Sequence, residues 1–200
     1  MATGSVMVYD VSTQRIPMFE TFTSSTCPPC VPGNIQLENI LSANPNNYTS
    51  LKYQMSFPGA GDPYYTDEGG NRRTYYGIST VPRLEIDGGW DSNPSSLTQQ
   101  DFDDNYNIPS FTNLTATYSV AGQSIQVDVS VDPIDNISSS NLVVHIAVFE
   151  YLTTGNVGTN GETEFQHVMK KMLPSASGTP VSAITNQETQ SITESWSMSN

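Results

Sequence analysis

The only two cysteines of this 200-residue chain lie close together, in the segment Cys27-Pro28-Pro29-Cys30. Two thiols at this spacing can close a small disulfide, reopen it and pass the oxidation to another protein. The reacting form is the thiolate, so this chemistry requires one cysteine with a lowered pKa and an accessible sulfur. The pair therefore predicts thiol–disulfide exchange, with Cys27 and Cys30 as the candidate catalytic residues.

The segments on either side of this pair predict a strand, a loop and a helix, in that order. Residues 16–23 are rich in β-branched and aromatic side chains, which is typical of a strand. Residues 30–43 have apolar side chains at irregular helical spacing. Cys27 is then expected just before a helix N-terminus, where unpaired N–H groups and the helix dipole favour a negative sulfur. We therefore expect Cys27 to be the more exposed cysteine and its pKa to be lowered.

Three other interpretations of the cysteine pair compete with this one. A structural disulfide is one of them, although a bridge across so short a loop removes little entropy from the unfolded chain. A zinc site is another, but it normally takes four ligands at compact spacing, and His145 and His167 are distant in sequence. The third is a chance pair in a reduced cytosolic protein. Redox chemistry is favoured over all three, and we expect no metal and no cofactor.

A second motif lies downstream, in residues 76–89. Its sequence predicts a turn, then a proline that opens a strand, then an Asp-Gly hairpin turn. Together with the cysteine pair it resembles the thioredoxin superfamily, in which a CxxC after the first core strand faces a cis-proline loop. The resemblance implies that Cys27 attacks and Cys30 resolves. It also implies that Val81 and the cis-proline Pro82 bind substrate by presenting backbone to a polypeptide.

Two segments resemble a narrower group, the Omp28-type thioredoxin-like proteins of Bacteroidetes envelopes. They are residues 22–34, around the cysteine pair, and residues 164–174 in the second half of the chain. This resemblance implies a location in the bacterial cell envelope, in the periplasm or at the outer membrane surface, or secretion.

The chain departs from thioredoxin at the buried acid that helps to move protons there. Counting back from Cys27, that position holds Thr21. Glu20 is adjacent but is expected on the opposite face of the strand, because side chains alternate along a strand. The sequence leaves open whether Glu20 is a solvated or capping carboxylate or a catalytic one.

The pattern of the sequence changes near residue 110. Residues 1–15 read as an N-terminal arm. Over residues 16–109 the order β-α-β-α-β-β-α is that of a thioredoxin core, which predicts an α/β thioredoxin-like domain. Over residues 110–200, short alternating strands with Gly, Pro and Asn turns predict an all-β sandwich of immunoglobulin type. This second part has no cysteine, so we expect it to contribute no catalytic group and residues 1–109 alone to keep any activity.

The elements within these two parts can be assigned approximately. The loop 58–65 is a candidate border of the active site, although most such loops are only surface. The assigned elements are strands 16–23, 50–57 and 82–90, helices 30–43, 66–76 and one capped by Ser95 or Ser96, and strands 114–120, 124–131, 141–150, 163–173 and 188–198.

Charge and composition exclude several classes of partner. Seven basic against twenty acidic residues give a net charge of −13, which argues against nucleic acid and against anionic lipid. No window is apolar over the length of a membrane span, so no integral membrane segment is expected. Ser, Thr and Asn are abundant while charged residues are few, a composition that suits an exported bacterial protein.

Two functions therefore remain open from the sequence. The first is a thiol–disulfide oxidoreductase of the bacterial envelope that acts on protein thiols or disulfides and exchanges electrons with an unknown redox partner. The alternative is a non-catalytic envelope or secreted module for binding or adhesion, built on a thioredoxin-like scaffold with a vestigial disulfide.

Overall fold

The computed structural model describes residues 12–137, 139, 141–182 and 188–198, so most of the N-terminal arm expected at 1–15 lies outside the described residues. The chain divides into two compact units. One combines Ile16–Asn107 with Val143–Thr179 and is mixed α/β; we call it the α/β unit. The other takes its described residues from 12–15, 108–142 and 180–198 and is all β; we call it the β unit.

Helices and strands alternate over the first half of the chain, and the second half is all strand. In chain order the elements are β1 (Thr13–Gln14), β2 (Met18–Thr23), α1 (Cys30–Ala43), β3 (Thr49–Gln54), α2 (Asp67–Tyr75), β4 (Arg83–Ile86), β5 (Trp90–Ser92), α3 (Gln99–Tyr106), β6 (Pro109–Ser110), β7 (Thr112–Ala121), β8 (Ser124–Pro133), β9 (Leu142–Val144), β10 (Ile146–Thr153), β11 (Phe165–Leu173), β12 (Thr179–Val181) and β13 (Gln190–Ser197).

A six-stranded mixed sheet with the order β10-β11-β3-β2-β4-β5 forms the centre of the α/β unit. The strand β2 lies inside this sheet, parallel to β3 and antiparallel to β4. Five of its six residues are buried, because both faces of the sheet are covered. One face carries the core residues Phe19, Leu37, Leu41, Leu84, Ile86, Leu97 and Phe102. The other carries Phe22, Leu51, Tyr53, Met55, Ile78, Met169 and Met172.

Helix α3 begins later than the sequence predicts. Ser95 and Ser96, the predicted caps, lie in a short 3₁₀ turn instead. The helix is capped by Thr98, whose hydroxyl accepts a hydrogen bond from the Asp101 N–H while the Asp101 carboxylate accepts one from the Thr98 N–H. Serine and threonine both favour the N-cap position, so residue type alone does not identify the cap. Thr98 is the cap because Asp101, three residues later, completes the reciprocal pair of hydrogen bonds. Of the three α-helices in the described ranges, none is long and apolar enough to cross a membrane.

The chain returns to the α/β unit after residue 142, a connection that the sequence does not predict. Strands β10 and β11, expected in a separate sandwich over 110–200, pair with the sheet of the first half; β11 lies parallel to β3, with Val168 opposite Lys52. Both strands were recognised as strands, and β11 is buried at most of its positions. A strand whose two faces are both covered shows no alternation of polar and apolar residues. Its sequence therefore does not indicate which strands it pairs with. The α/β unit therefore contains Val143–Thr179, beyond the predicted boundary at residue 109.

The β unit is built around a three-stranded antiparallel sheet with the order β13-β8-β7. Its central strand alternates, with Val127, Val129 and Val131 buried. A second small sheet pairs β1 with β6. The strand predicted at 141–150 is interrupted at His145 and forms β9 and β10, and β9 pairs with β12.

Candidate redox site

The two cysteines are joined in a disulfide at the point where β2 leads into α1. Two backbone hydrogen bonds of 3.0 Å shape this turn, from the Cys27 N–H to the Ser24 carbonyl and from the Cys30 N–H to the Cys27 carbonyl. Cys30 is the first residue of α1 and Pro29 is its N-cap. The disulfide therefore lies at the positive end of a helix, as the sequence predicts.

Both cysteines are buried in this disulfide form. Cys27 is 1 % exposed and Cys30 is fully buried, so the prediction of an exposed Cys27 is wrong for the disulfide form. Exchange with another protein needs approach to a sulfur, since the attacking thiolate must reach it. The oxidised site must therefore open locally before a client can react with it.

The Val81–Pro82 peptide bond is cis and lies beside the disulfide, as the resemblance implies. The Cys27 sulfur is 3.8 Å from the Val81 carbonyl oxygen. On the far side of the loop, a Cβ added at Gly33 of α1 would lie 3.5 Å from Pro82 Cγ and 2.7 Å from Pro94 Cγ. The structure thus brings all four predicted site residues together, packed against the first turns of α1.

A loop of the second half, residues 154–164 between β10 and β11, is bonded to the turn that carries the disulfide. The Asn160 N–H donates to the Ser25 carbonyl at 3.0 Å. The Asn160 side-chain amide donates to the carbonyls of Ser24 and Cys27, at 3.2 and 3.4 Å. A Cβ at Gly158 would lie 2.4 Å from the Ser25 carbonyl oxygen, so only glycine permits this close approach. The sequence gives no signal for this contact, because the segment reads as an ordinary polar connection.

Glu162 of the same loop reaches the helix that follows the disulfide. Its carboxylate accepts hydrogen bonds from the side-chain amides of Asn34, at 2.8 Å, and Asn160, at 2.5 Å. Asn34 is buried one helical turn after Cys30 and also donates to the Thr23 hydroxyl at 3.1 Å. Asn160 therefore connects the Glu162 carboxylate to the backbone of Cys27 through one amide group.

A second carboxylate, Asp62, binds the turn from the loop 58–65. Asp62 is 5 % exposed and accepts the backbone N–H of Ser25 at 2.9 Å and of Tyr64 at 2.9 Å. It also accepts the side-chain amide of Asn156, at 3.2 Å, from the 154–164 loop. The loop named as a candidate border of the site therefore does contact it.

Glu20 lies on the face of β2 that packs against α2, away from Thr21. It is neither solvated nor a cap, since Arg72 donates to both of its oxygens at 2.8 Å and the hydroxyls of Tyr53 and Tyr76 donate to it at 2.7 and 2.5 Å. Burial raises the pKa of both tyrosines most, and the hydrogen bond with Glu20 and the Glu20 charge raise it further. Glu20 thus forms a buried ion pair with Arg72, so the interpretation of Glu20 as a solvated or capping carboxylate is wrong.

Comparison with known proteins gives similarity of fold only. No protein-family model and no curated protein matches the sequence. A crystal structure of a protein from Agrobacterium tumefaciens matches with a TM-score of 0.59 and 15% identity, over 91% of this chain and 80% of that one. HBP35 of Porphyromonas gingivalis matches with a TM-score of 0.72 and 11% identity, over 94% of this chain. The chain spans 65% of the length of that HBP35 structure.

Proposed function

We propose that this protein is a thiol–disulfide oxidoreductase of the bacterial envelope whose α/β unit is thioredoxin-like and whose β unit is an immunoglobulin-type docking module. One observation carries the proposal: the Cys27–Cys30 disulfide lies at the start of helix α1, and its Cys27 sulfur is 3.8 Å from the backbone carbonyl oxygen of Val81. A bridge across so short a loop contributes little to stability, so an exchange role explains it better than a structural one. The envelope location rests on the resemblance of residues 22–34 and 164–174 to envelope proteins, and HBP35 of Porphyromonas gingivalis adds a likeness of fold.

The reaction is an exchange of two electrons between dithiols and disulfides. In the reduced protein the Cys27 thiolate attacks one sulfur of a client disulfide, forms a mixed disulfide and releases a client thiolate. The Cys30 thiol then loses its proton and attacks the Cys27 sulfur. This closes the Cys27–Cys30 disulfide and releases the second client thiolate, and the client takes up two protons.

Val81 and Pro82 are proposed to hold the client chain during this exchange. A proline has no N–H and the residue before it offers a carbonyl, so the pair suits short strand-like pairing with an extended peptide. The Val81 carbonyl oxygen lies 3.8 Å from the Cys27 sulfur, so a client chain held there is close to the reacting atom.

Trapping the mixed disulfide tests this mechanism. Cys30→Ser leaves the attacking thiol but removes the resolving one, so it should accumulate a covalent adduct with a disulfide-bonded client such as insulin. Cys27→Ser is the matched control and should form none. Mass spectrometry after iodoacetamide treatment of the reduced wild type should show Cys27 labelled first.

The binding-module alternative predicts a different pattern. The burial of both cysteines is the observation that favours it, since a vestigial disulfide has no need of access. In that case neither serine variant forms an adduct, and the wild-type protein does not reduce insulin with dithiothreitol as the electron source.

A further inference from the structure

The strand β7 is an exposed edge of the sheet in the β unit. Among the described residues it pairs only with β8, so the other side of its backbone is open. Nine of its ten residues are exposed, and the exposed fraction reaches 65 % at Leu114 and 74 % at Tyr118. The strand has no charged residue and no proline, although these are the usual means by which proteins protect an edge strand. A long, uncharged edge of this kind is expected to be covered by another strand.

The hydrogen bonds at the start of β7 show which residues direct their backbone groups to the open side. The Phe111 carbonyl accepts a hydrogen bond from the Ile134 N–H at 2.8 Å, so the backbone groups of Phe111 point toward β8. The carbonyl and the N–H of Thr112 are instead bonded to the Ser110 hydroxyl, at 2.9 and 3.4 Å. Because backbone groups alternate between the two sides of a strand, the even-numbered residues of β7 direct theirs to the open side.

The strand β1 leads onto this open side. It pairs antiparallel with β6, which precedes β7 by one residue, and places Thr13 opposite Ser110 and Gln14 opposite Pro109. Pro109 has no N–H, so the pair that exchanges two hydrogen bonds is Ser110 with Thr13. Since Ser110 is even-numbered, β1 lies on the same side of the chain as the open side of β7. An antiparallel continuation of β1 toward the N-terminus therefore runs along β7.

The residues that precede β1 have a sequence suited to this place. Residues 6–11, here called the N-terminal segment, read Val-Met-Val-Tyr-Asp-Val and are rich in β-branched and aromatic side chains. They lie outside the described residues, and Ser12 alone separates them from β1. Six residues in extended conformation span about 20 Å, which is enough to follow more than half of β7.

We infer that the N-terminal segment is a fourth strand of this sheet, antiparallel to β7 and on its open side. In the register of β1 and β6, Tyr9 is opposite Leu114 and Met7 is opposite Ala116. Leu114 and Ala116 are themselves opposite buried valines of β8, so apolar residues of three strands share one face. A second copy of the chain is a weaker occupant, because each copy has a net charge of −13, whereas β1 tethers the segment at high effective concentration. The inference is independent of the proposed redox function.

A disulfide between the two strands tests the inference in the full chain. Val8→Cys with Thr115→Cys, in a Cys27→Ser, Cys30→Ser background, places two thiols directly opposite each other. Thr115 is odd-numbered, so this is a non-hydrogen-bonded pair with Cα atoms about 4.5 Å apart, within the range of a disulfide. Val8→Cys with Ala116→Cys is the matched control, one residue out of register and with side chains on opposite faces. In the presence of diamide, the first pair should form an intramolecular disulfide about tenfold faster than the control.

Hydrogen exchange gives a second readout that needs no cysteine substitution. The amides of Leu114 and Tyr118 should exchange about tenfold more slowly in the full chain than in a chain that begins at Ser12, since they donate to the added strand. The amides of Thr115 and Thr117 point toward β8 and should differ less than about twofold, which controls for a general loss of stability.

These two measurements decide the inference. Equal rates of disulfide formation in the two cysteine pairs, or a faster rate in the control, overturn it. A disulfide that joins two molecules, seen as a dimer in a non-reducing gel, shows a second copy on β7 and also overturns it. Unchanged exchange at Leu114 and Tyr118 after the truncation overturns it even if the cysteine variants fail to fold. Faster exchange at the even-numbered residues alone, together with the intramolecular disulfide, supports it.

Discussion

Glu85 in the middle of β4 should make the α/β unit less stable at alkaline than at acidic pH. It is 4 % exposed and lies opposite Glu20 in β2 and opposite Asp91 in β5. Burial, a hydrogen bond with Asp91 and the charge of Asp91 raise the pKa of Glu85 from 4.5 to about 7. Arg83 holds the pKa of Asp91 below its usual value by a hydrogen bond, so the shared proton resides on Glu85.

The direction of the pH dependence of stability follows from the proton that Glu85 binds in the folded and in the unfolded state. The folded state keeps the Glu85 proton up to about pH 7, whereas the unfolded chain releases it near 4.5. Stability from this group is therefore fully present below pH 4.5 and is lost as the pH rises through 7. The difference in pKa corresponds to a loss of about 3 kcal/mol at pH 8, at 1.36 kcal/mol per unit. The loss at pH 5 is only about 1 kcal/mol, because the unfolded state is then just above its own pKa.

Glu85→Gln tests this, since glutamine keeps the shape and a donor toward Asp91 but cannot ionise. Urea denaturation should show the variant more stable than wild type by about 3 kcal/mol at pH 8 and about 1 kcal/mol at pH 5. The chain has two tryptophans, Trp90 beside Glu85 in the sheet and Trp196 in the β unit. A Trp196→Phe background makes fluorescence report on the α/β unit alone. A stability difference that is the same at both pH values refutes the reasoning.

Three further predictions concern the same unit. Arg72→Met should cost about 3–5 kcal/mol because it leaves Glu20 buried without its cation, and adding Glu20→Gln should recover most of the loss in the urea midpoint. Gly33→Ala should cost about 1–3 kcal/mol despite a better helix propensity, since its Cβ would meet the rigid ring of Pro94 at 2.7 Å; a gain in melting temperature contradicts this. A fragment of residues 1–109 was expected from the sequence to keep any activity, but it lacks β11 and the core residues Met169 and Met172. It should therefore fail to unfold cooperatively, and a cooperative, insulin-reducing fragment contradicts this.

Local elements were largely predictable from the sequence, because their signals are local. The helix predicted at 30–43 is α1, Cys30–Ala43, and the strand predicted at 16–23 contains β2. The cysteine pair and the Val81–Pro82 bond were also placed together correctly, through a resemblance that depends on two short motifs. Spacing and residue type carried this information, so no tertiary contact was needed to extract it.

Pairing between distant segments was not predictable in the same way. The segment around 163–173 was recognised as a strand, but its place beside β3 depends on a parallel contact between Val168 and Lys52, more than a hundred residues apart. Parallel pairs have no connecting hairpin to reveal them, and a strand buried on both faces shows no preferred side. Lys52 also gives a wrong indication, because a lysine in a strand normally predicts a side chain exposed to solvent. Here Lys52 is buried and forms an ion pair with Glu38 of α1.

The same limitation explains why the charges around the redox turn were missed. In this sequence Thr21 occupies the position of the thioredoxin acid, and its neighbour Glu20 is the only carboxylate that the sequence places beside it. The structure shows Glu20 engaged by Arg72, while Glu162 reaches Asn34 from a loop 128 positions away. A carboxylate acts on its surroundings through distance and not through sequence position, so a fold can lack an acid in its strand and still have one bonded to the turn that carries its disulfide. Glu162 lies in the loop between β10 and β11. Its carboxylate reaches Asn34 because these two strands of the second half pair with the sheet of the first half.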